Sequence, residues 1–397
     1  MRNTTLKTLA AAAALSLILA ACGGGGGGGS SGNNTGGGTT TTSTNNGASL
    51  LAAYTPPADI AAAVTTSYTG PAFTVGNSGI VSSCSNPSLV GSTVVDAPDV
   101  VVFGANGAST KALELAADLF ENQAVPTVRS ALGLPASGVA FDGSKVQLCV
   151  DTALGQGIGE TGTAITGQTG LGLPNPSMPS PVMQIMSADS PNFDTRYPGA
   201  SSLDVLVPLF THEATHAALY SLEEPFGGGE VWWQEGMAQT VAGQSAGTKA
   251  SVLAAVQASD VLAVGGTSNL DAYGAYESVV QYLTSSAAGG LGFGVSNMKT
   301  FIAAYKADAT ALCVQAIPAG LTPNANATAG MVSGLYNVCA PGAPGVVDAR
   351  LETAFDQAFN ATFKDSNGSP LYLHTADDPS GNSLEQTLYA RLNSFLQ

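Results

Sequence analysis

The sequence predicts an α+β fold: a small twisted mixed sheet packed on a histidine-bearing helix, followed by a mainly helical lobe. Three observations predict it. Strand-like runs, KVQLCVDT at 145–152 and PVMQIMSAD at 181–189, lie before residue 200. From 201 onward, apolar residues recur at helical spacing. Strands first and helices after is the order of an α+β chain rather than of alternating βαβ units. With 397 residues, 44% of them hydrophobic, the chain can build a sizeable core.

The first segment reads as an export signal. Arg2 and Lys7 precede the apolar run LAAAAALSLILAA, which is too short to span a bilayer and has the layout of a secretory leader over 1–21. Leu19-Ala20-Ala21-Cys22 resembles the lipobox of bacterial lipoproteins. The resemblance implies cleavage before Cys22, acylation of that residue, and a lipid-anchored place in the bacterial cell envelope. Gly23, where an Asp would resemble an inner-membrane retention signal, makes the outer membrane the expected address. Loss of Arg2 and Lys7, with no acid, takes the net charge from −16 to −18. Twelve Lys and Arg against 28 acids leave no basic patch for nucleic acid, nor an electrostatic hold on anionic lipid. Residues 22–49 are a Gly/Ser/Thr/Asn tether with a random-coil reach of about 25–30 Å.

The folded part is expected in two lobes, 50–200 and 201–397, of a monomeric chain. In the first, TKALELAADLFE (110–121) places Leu113, Ala116, Ala117 and Phe120 on one stripe of a helix. The strand at 145–152 follows, then a Gly- and Pro-rich loop over 155–181, then the strand at 181–189. In the second, a helix over 201–222 contains one discordant residue, Pro208, and ends at Gly227-Gly228-Gly229. EVWWQEGMAQTVAG forms a shorter helix, and 271–286, 296–308 and 347–363 are further helical segments. Four cysteines remain beyond Cys22. An even number in an exported chain favours two disulfides, with sequence neighbours Cys84–Cys149 and Cys313–Cys339 as the expected pairs among three possible connectivities. Each would restrain the unfolded chain by about 3–4 kcal/mol in the loop-entropy model.

The chemistry concentrates in FTHEATHAALYS at 210–221. Two of the chain's three histidines, His212 and His216, stand four apart with Glu213 between them. Residues i and i+4 share a helix face, so both imidazoles can reach one metal ion, while Glu213 lies one step round as a base for a metal-bound water. Random placement of so few histidines and glutamates would produce H-E-x-x-H about once in a thousand such chains. A catalytic zinc needs a third protein ligand and leaves its fourth place to water. Glu223, Glu224, Glu230 and Glu235 are the nearby carboxylates.

H-E-x-x-H, 18 intervening residues, then E-G-x-A on a tryptophan-preceded helix resembles the gluzincin metallopeptidases, the group of aminopeptidase N-like and thermolysin-like enzymes. The resemblance implies one zinc per chain held by His212, His216 and Glu235, with Glu213 as base and proton shuttle. It also implies that Tyr273, opening YGAYESVVQYL, donates to the oxyanion, although it follows Glu235 by only 38 residues. Tyr276 and His374 are alternatives. Gln239 stands where thermolysin-like enzymes carry an acid that orients the first histidine. No G-x-M-E-N segment precedes the histidine helix, so binding of a free amino terminus is not expected. The strand PVMQIM is the candidate edge for pairing with an extended peptide. The expected activity is zinc-dependent hydrolysis of peptide or protein substrates, endopeptidase rather than aminopeptidase. The alternative is a non-catalytic surface-binding or adhesion lipoprotein that keeps a peptidase-like zinc fold.

Overall fold

The computed structural model describes residues 46–75, 80–155, 167–175, 178–223, 226, 230–263, 272–314 and 349–397, with backbone alone at 168, 170–175 and 178–180. The expected leader, Cys22, most of the tether, Glu224 and Cys339 lie outside the described residues. The fold begins earlier than the tether composition suggests. Helix α1, Asn46–Ala53, takes in the last four residues assigned to the tether. Asp194 secures it by accepting the Asn46 backbone N–H at 3.0 and 3.2 Å.

The chain continues through α2 (Ala58–Ala62), β1 (Val64–Thr65), β2 (Val90–Asp96) and β3 (Val100–Ala105). Next come α3 (Thr110–Leu119), a single π-helical turn at Phe120–Ala124, and α4 (Val125–Leu132). Ser109 caps α3 by accepting the Ala112 N–H. Pro126 has no N–H to donate back into the preceding turn, which accounts for the widened turn where α3 runs into α4. Strands β4 (Val146–Asp151), β5 (Gly167–Asn175) and β6 (Met178–Met186) complete the sheet. Its order is β1-β2-β3-β4-β6-β5, parallel for β3–β4–β6 and antiparallel elsewhere.

Two sequence expectations are corrected by this topology. The expected loop over 155–181 contains β5; Gly and Pro disfavour an interior strand, but β5 is an edge and needs only one partner. PVMQIM belongs to β6, which pairs with both β4 and β5 and therefore is not an edge.

Both faces of the sheet are covered. On one, Val100, Val102, Val146, Leu148 and Val150 join the main core, which runs without a break from Leu51 to Leu392 and so joins the two expected lobes. On the other, Val101, Phe103 and Cys149 pack under Phe73, Ile80 and Cys84. The Cys84–Cys149 disulfide and Gln147, which accepts the Thr74 N–H at 3.2 Å, fasten that cover to β4. Cys313 is disulfide-bonded as well.

The remaining elements are helical: α5 (Phe193–Arg196), α6 (Val207–Glu223), α7 (Val231–Ala242), α8 (Lys249–Ala258), α9 (Tyr273–Thr284), α10 (Met298–Val314), α11 (Ala349–Thr362) and α12 (Leu384–Phe395). Pro208 stops being discordant once α6 is seen to start at Val207, since the first turn needs no N–H partner. Helix α6 lies against β5 and β6 and is buried nearly all round. Arg391 of α12 grips Asp365 with two bonds of 2.9 and 2.8 Å and donates to the Tyr282 hydroxyl at 2.7 Å, tying the C-terminal helix to α9. Among the described residues no helix is long and apolar enough to cross a membrane.

Glu277 of α9 is a buried carboxylate whose Oε1 accepts from Gln281 Nε2 at 2.7 Å. Burial pushes its pKa up to about 7. A carboxyl raised in the folded state contributes most at low pH, and that contribution is lost as pH rises through the folded value. Glu277→Gln should therefore stabilise the chain by on the order of 1–3 kcal/mol at pH 8. The gain should narrow below pH 7 and nearly vanish at pH 4, as read by thermal unfolding across that range.

Candidate metal centre

Helices α6 and α7 pack side by side and bring their polar residues together in the core. From α6, His212 and His216 stack edge to face with ring centroids 4.8 Å apart, and their Nε2 atoms are separated by 3.1 Å. From α7, Glu235 Oε2 lies 3.3 Å from His212 Nε2 and 3.6 Å from His216 Nε2. A tetrahedral ion with bonds of about 2.05 Å holds its ligands about 3.3–3.4 Å apart. The three donors thus stand at the corners that one such ion requires, and they can hold a divalent metal. Burial opposes ionisation of Glu235, but the two imidazoles outweigh it and keep the carboxyl well below the usual carboxylate range.

Local structure explains the convergence. Gly236 follows the ligand because α9 crosses there: a Cβ would fall 2.4 Å from the Tyr276 carbonyl oxygen and 2.7 Å from Val280 Cγ2. At the far end of α7, Gly243 takes a left-handed φ of 64°. The Gln244 N–H then closes on the Gln239 carbonyl at 3.1 Å. This turn carries the Gln244 side chain back to the site, where its Oε1 lies 2.6 Å from His212 Nδ1. Nδ1–H donating to that oxygen leaves the Nε2 lone pair facing the other two donors. The orienting amide is therefore Gln244, not Gln239, whose backbone carbonyl serves the turn instead.

Glu213 is held from the sheet side. Thr169 of β5 donates its hydroxyl to Glu213 Oε2 at 2.6 Å and also contacts the Glu213 carbonyl oxygen at 3.1 Å. A Cβ on Gly167 would sit 2.6 Å from Glu213 Oε1 and 2.9 Å from Leu209 Cδ1, so a side chain there would displace the Glu213 carboxylate. His212, Glu213, His216 and Glu235 are each at most 2% exposed.

Two phenols, Tyr276 and Tyr197, lie near the site carboxylates. Tyr273 and Tyr276 of α9 lie with ring centroids 5.9 Å apart. Burial, with the Glu235 charge behind it, raises the Tyr276 pKa. Tyr197, which belongs to no motif, is pushed up to about 12 by burial; Arg196 opposes the shift and the Glu213 charge adds to it. Tyr276 and Tyr197 therefore stay as neutral O–H donors at physiological pH.

The other candidate ligands are engaged elsewhere. Glu223 accepts from Gln234 Nε2 at 2.9 Å and Trp233 Nε1 at 3.4 Å. Glu230 accepts from the Trp232 indole and faces His374 Nε2 at 3.4 Å. His374 is thus placed with Glu230 rather than with the other two histidines. Burial lowers its pKa, but Glu230, Asp356 and Glu385 outweigh burial and raise it to about 9. A surface cleft of about 760 Å³, lined by Tyr68, Asp96, Lys145 and Gln147, lies at the β1 edge of the sheet, the opposite edge from β5.

No protein-family model matches the chain, and no curated protein matches it.

Gln244→Ala should weaken metal binding at this centre by about 10–100-fold while the fold persists, because it frees the His212 ring to turn. Competition titration against a chromophoric chelator reads this directly.

Proposed function

We propose that the chain is a lipid-anchored, zinc-dependent peptidase of gluzincin type that favours endoproteolytic cleavage. The observation that carries the reading is the triangle of His212, His216 and Glu235 with separations of 3.1–3.6 Å, flanked in sequence by Glu213. Zinc held by His212, His216 and Glu235 would supply Lewis acidity and lower the pKa of water toward neutrality. Glu213 accepts a proton from the attacking water and delivers it to the leaving amine nitrogen. Thr169 fixes the carboxylate for that exchange through its 2.6 Å bond to Oε2. Tyr273 is the proposed donor to the carbonyl oxygen, with buried Tyr276 and half-buried Tyr197, which lie near Glu235 and Glu213, as the alternatives. Strand β5, paired only with β6 among the described strands, offers its outer edge to an extended substrate backbone. Anchoring through Cys22 would hold this activity at the outer membrane.

One observation favours a second reading, a surface-binding lipoprotein with a resident metal. The four site side chains are closed from solvent, and β5 sits over the base. Cleavage of denatured casein by the full chain, abolished by a chelator and restored by zinc, separates the two. Under the peptidase reading, Glu213→Gln keeps the ion and lowers turnover by about 10²–10⁴-fold. A chain that holds the ion yet cleaves no unfolded substrate supports the binding protein; a Glu213→Gln chain that still cleaves overturns the role given to the base.

A further inference from the structure

The third histidine has its own surroundings, independent of the reading above. His374 precedes a short turn at Thr375–Asp377, after α11 and before α12. Its Nε2 lies 3.4 Å from Glu230 Oε1 and 3.5 Å from Asp356 Oδ1, and the three donor atoms all fall within 4.8 Å of one another. Glu230 is the N-cap residue of α7 and only 4% exposed. It does not cap the helix with its side chain; its Oε2 takes the Trp232 indole N–H and its Oε1 faces His374. Asp356 lies on α11 beside Phe355, which packs on Trp232 and Trp233 at 6.2 and 6.3 Å. Its Oδ1 is buried and has no hydrogen-bond partner among the described residues.

Two features separate this cluster from a plain ion pair. The first is spacing. Charge-assisted N–H···O bonds close to about 2.7–2.9 Å, whereas ligands around a small divalent ion stand about 3.3–3.4 Å apart. The 3.4 and 3.5 Å separations match the second distance, as do those of the first centre. The second feature is charge. Besides Glu230 and Asp356, Glu385 Oε2 lies 4.0 Å from His374 Nδ1, Asp377 faces Asp356, and Asp260 faces Glu385. No Lys or Arg among the described residues forms an ion pair with Glu230, Asp356 or Glu385. One imidazole cannot balance that many carboxylates in a largely buried place, and a buried charge without compensation is costly.

We propose that Glu230, Asp356 and His374 form a second divalent-cation site, which fastens α11 and the segment after it to the N-terminus of α7. One nitrogen and two carboxylate oxygens suit a borderline first-row ion such as zinc or manganese. Calcium is disfavoured, since it takes six to eight oxygens. The site is structural: it joins the start of α7, five residues before Glu235, to the C-terminal helices.

The test uses the full chain, stripped with a chelator, reloaded with zinc alone, dialysed and counted by elemental analysis. The expected result is two ions per chain. Asp356→Asn and His374→Gln should each bring the count to one, while His212→Ala should also leave one, the ion at His374. A count, whether one or two, that survives both Asp356→Asn and His374→Gln overturns the proposal, whereas a single ion lost in both would leave this site standing and the His212 centre empty. Should His374→Gln fail to fold, the near-isosteric Asp356→Asn carries the same comparison, with far-UV circular dichroism showing that it is folded.

Discussion

Three lone-pair donors meeting inside a dry core is the constraint on which the rest of the molecule depends. His212, His216 and Glu235 lie 3.1–3.6 Å apart and are at most 2% exposed. At that distance the lone pairs of the two nitrogens and the carboxylate oxygen repel one another unless a proton or a metal ion stands between them. The surrounding structure keeps them together. Helix α9 presses on Gly236, the turn at Gly243 returns Gln244 to His212, and the aromatic group of Trp232, Trp233, Phe301 and Phe355 packs behind α7. Side chains with two or three donors are costly to bury, and the fold spends much of its packing on doing so.

The sheet holds the proposed base, Glu213 of α6, in place. Edge strand β5 crosses α6 at Glu213, with Gly167 permitting the approach and Thr169 fixing the carboxylate. An edge position has two consequences. It lets a Gly- and Pro-containing segment serve as a strand, and among the described strands it leaves one side of β5 without a partner near the candidate metal centre. The same strand therefore covers Glu213 and carries the edge proposed to pair with an extended chain.

Much of the centre was legible in the sequence because it is local. An i, i+4 pair of histidines shares a helix face whatever surrounds it, and Pro208, Gly227-Gly228-Gly229 and Gly243 bracket the two helices. What was not legible depends on distant encounters. Gln244 acts through a turn rather than a helix face, whereas the resemblance to thermolysin-like enzymes points to Gln239. Strand β3 is buried on both faces and shows no alternation, and β5 has a loop-like composition. Residues 46–49 read as tether, yet they fold because Asp194, far along the chain, accepts the first N–H of α1. The grouping of Glu230, Asp356 and His374 draws on three segments with no shared motif. Twelve basic side chains against 28 acids left the carboxylates of this chain few partners of their own, and cations from solution are the natural complement.

The most direct measurement is a crystal structure of the zinc-loaded full chain with anomalous diffraction recorded on both sides of the zinc absorption edge. The account predicts a zinc peak bonded at about 2.0–2.2 Å to His212 Nε2, His216 Nε2 and Glu235. A folded chain without density among those three atoms, or with its rings turned away from a metal bound elsewhere, would contradict it.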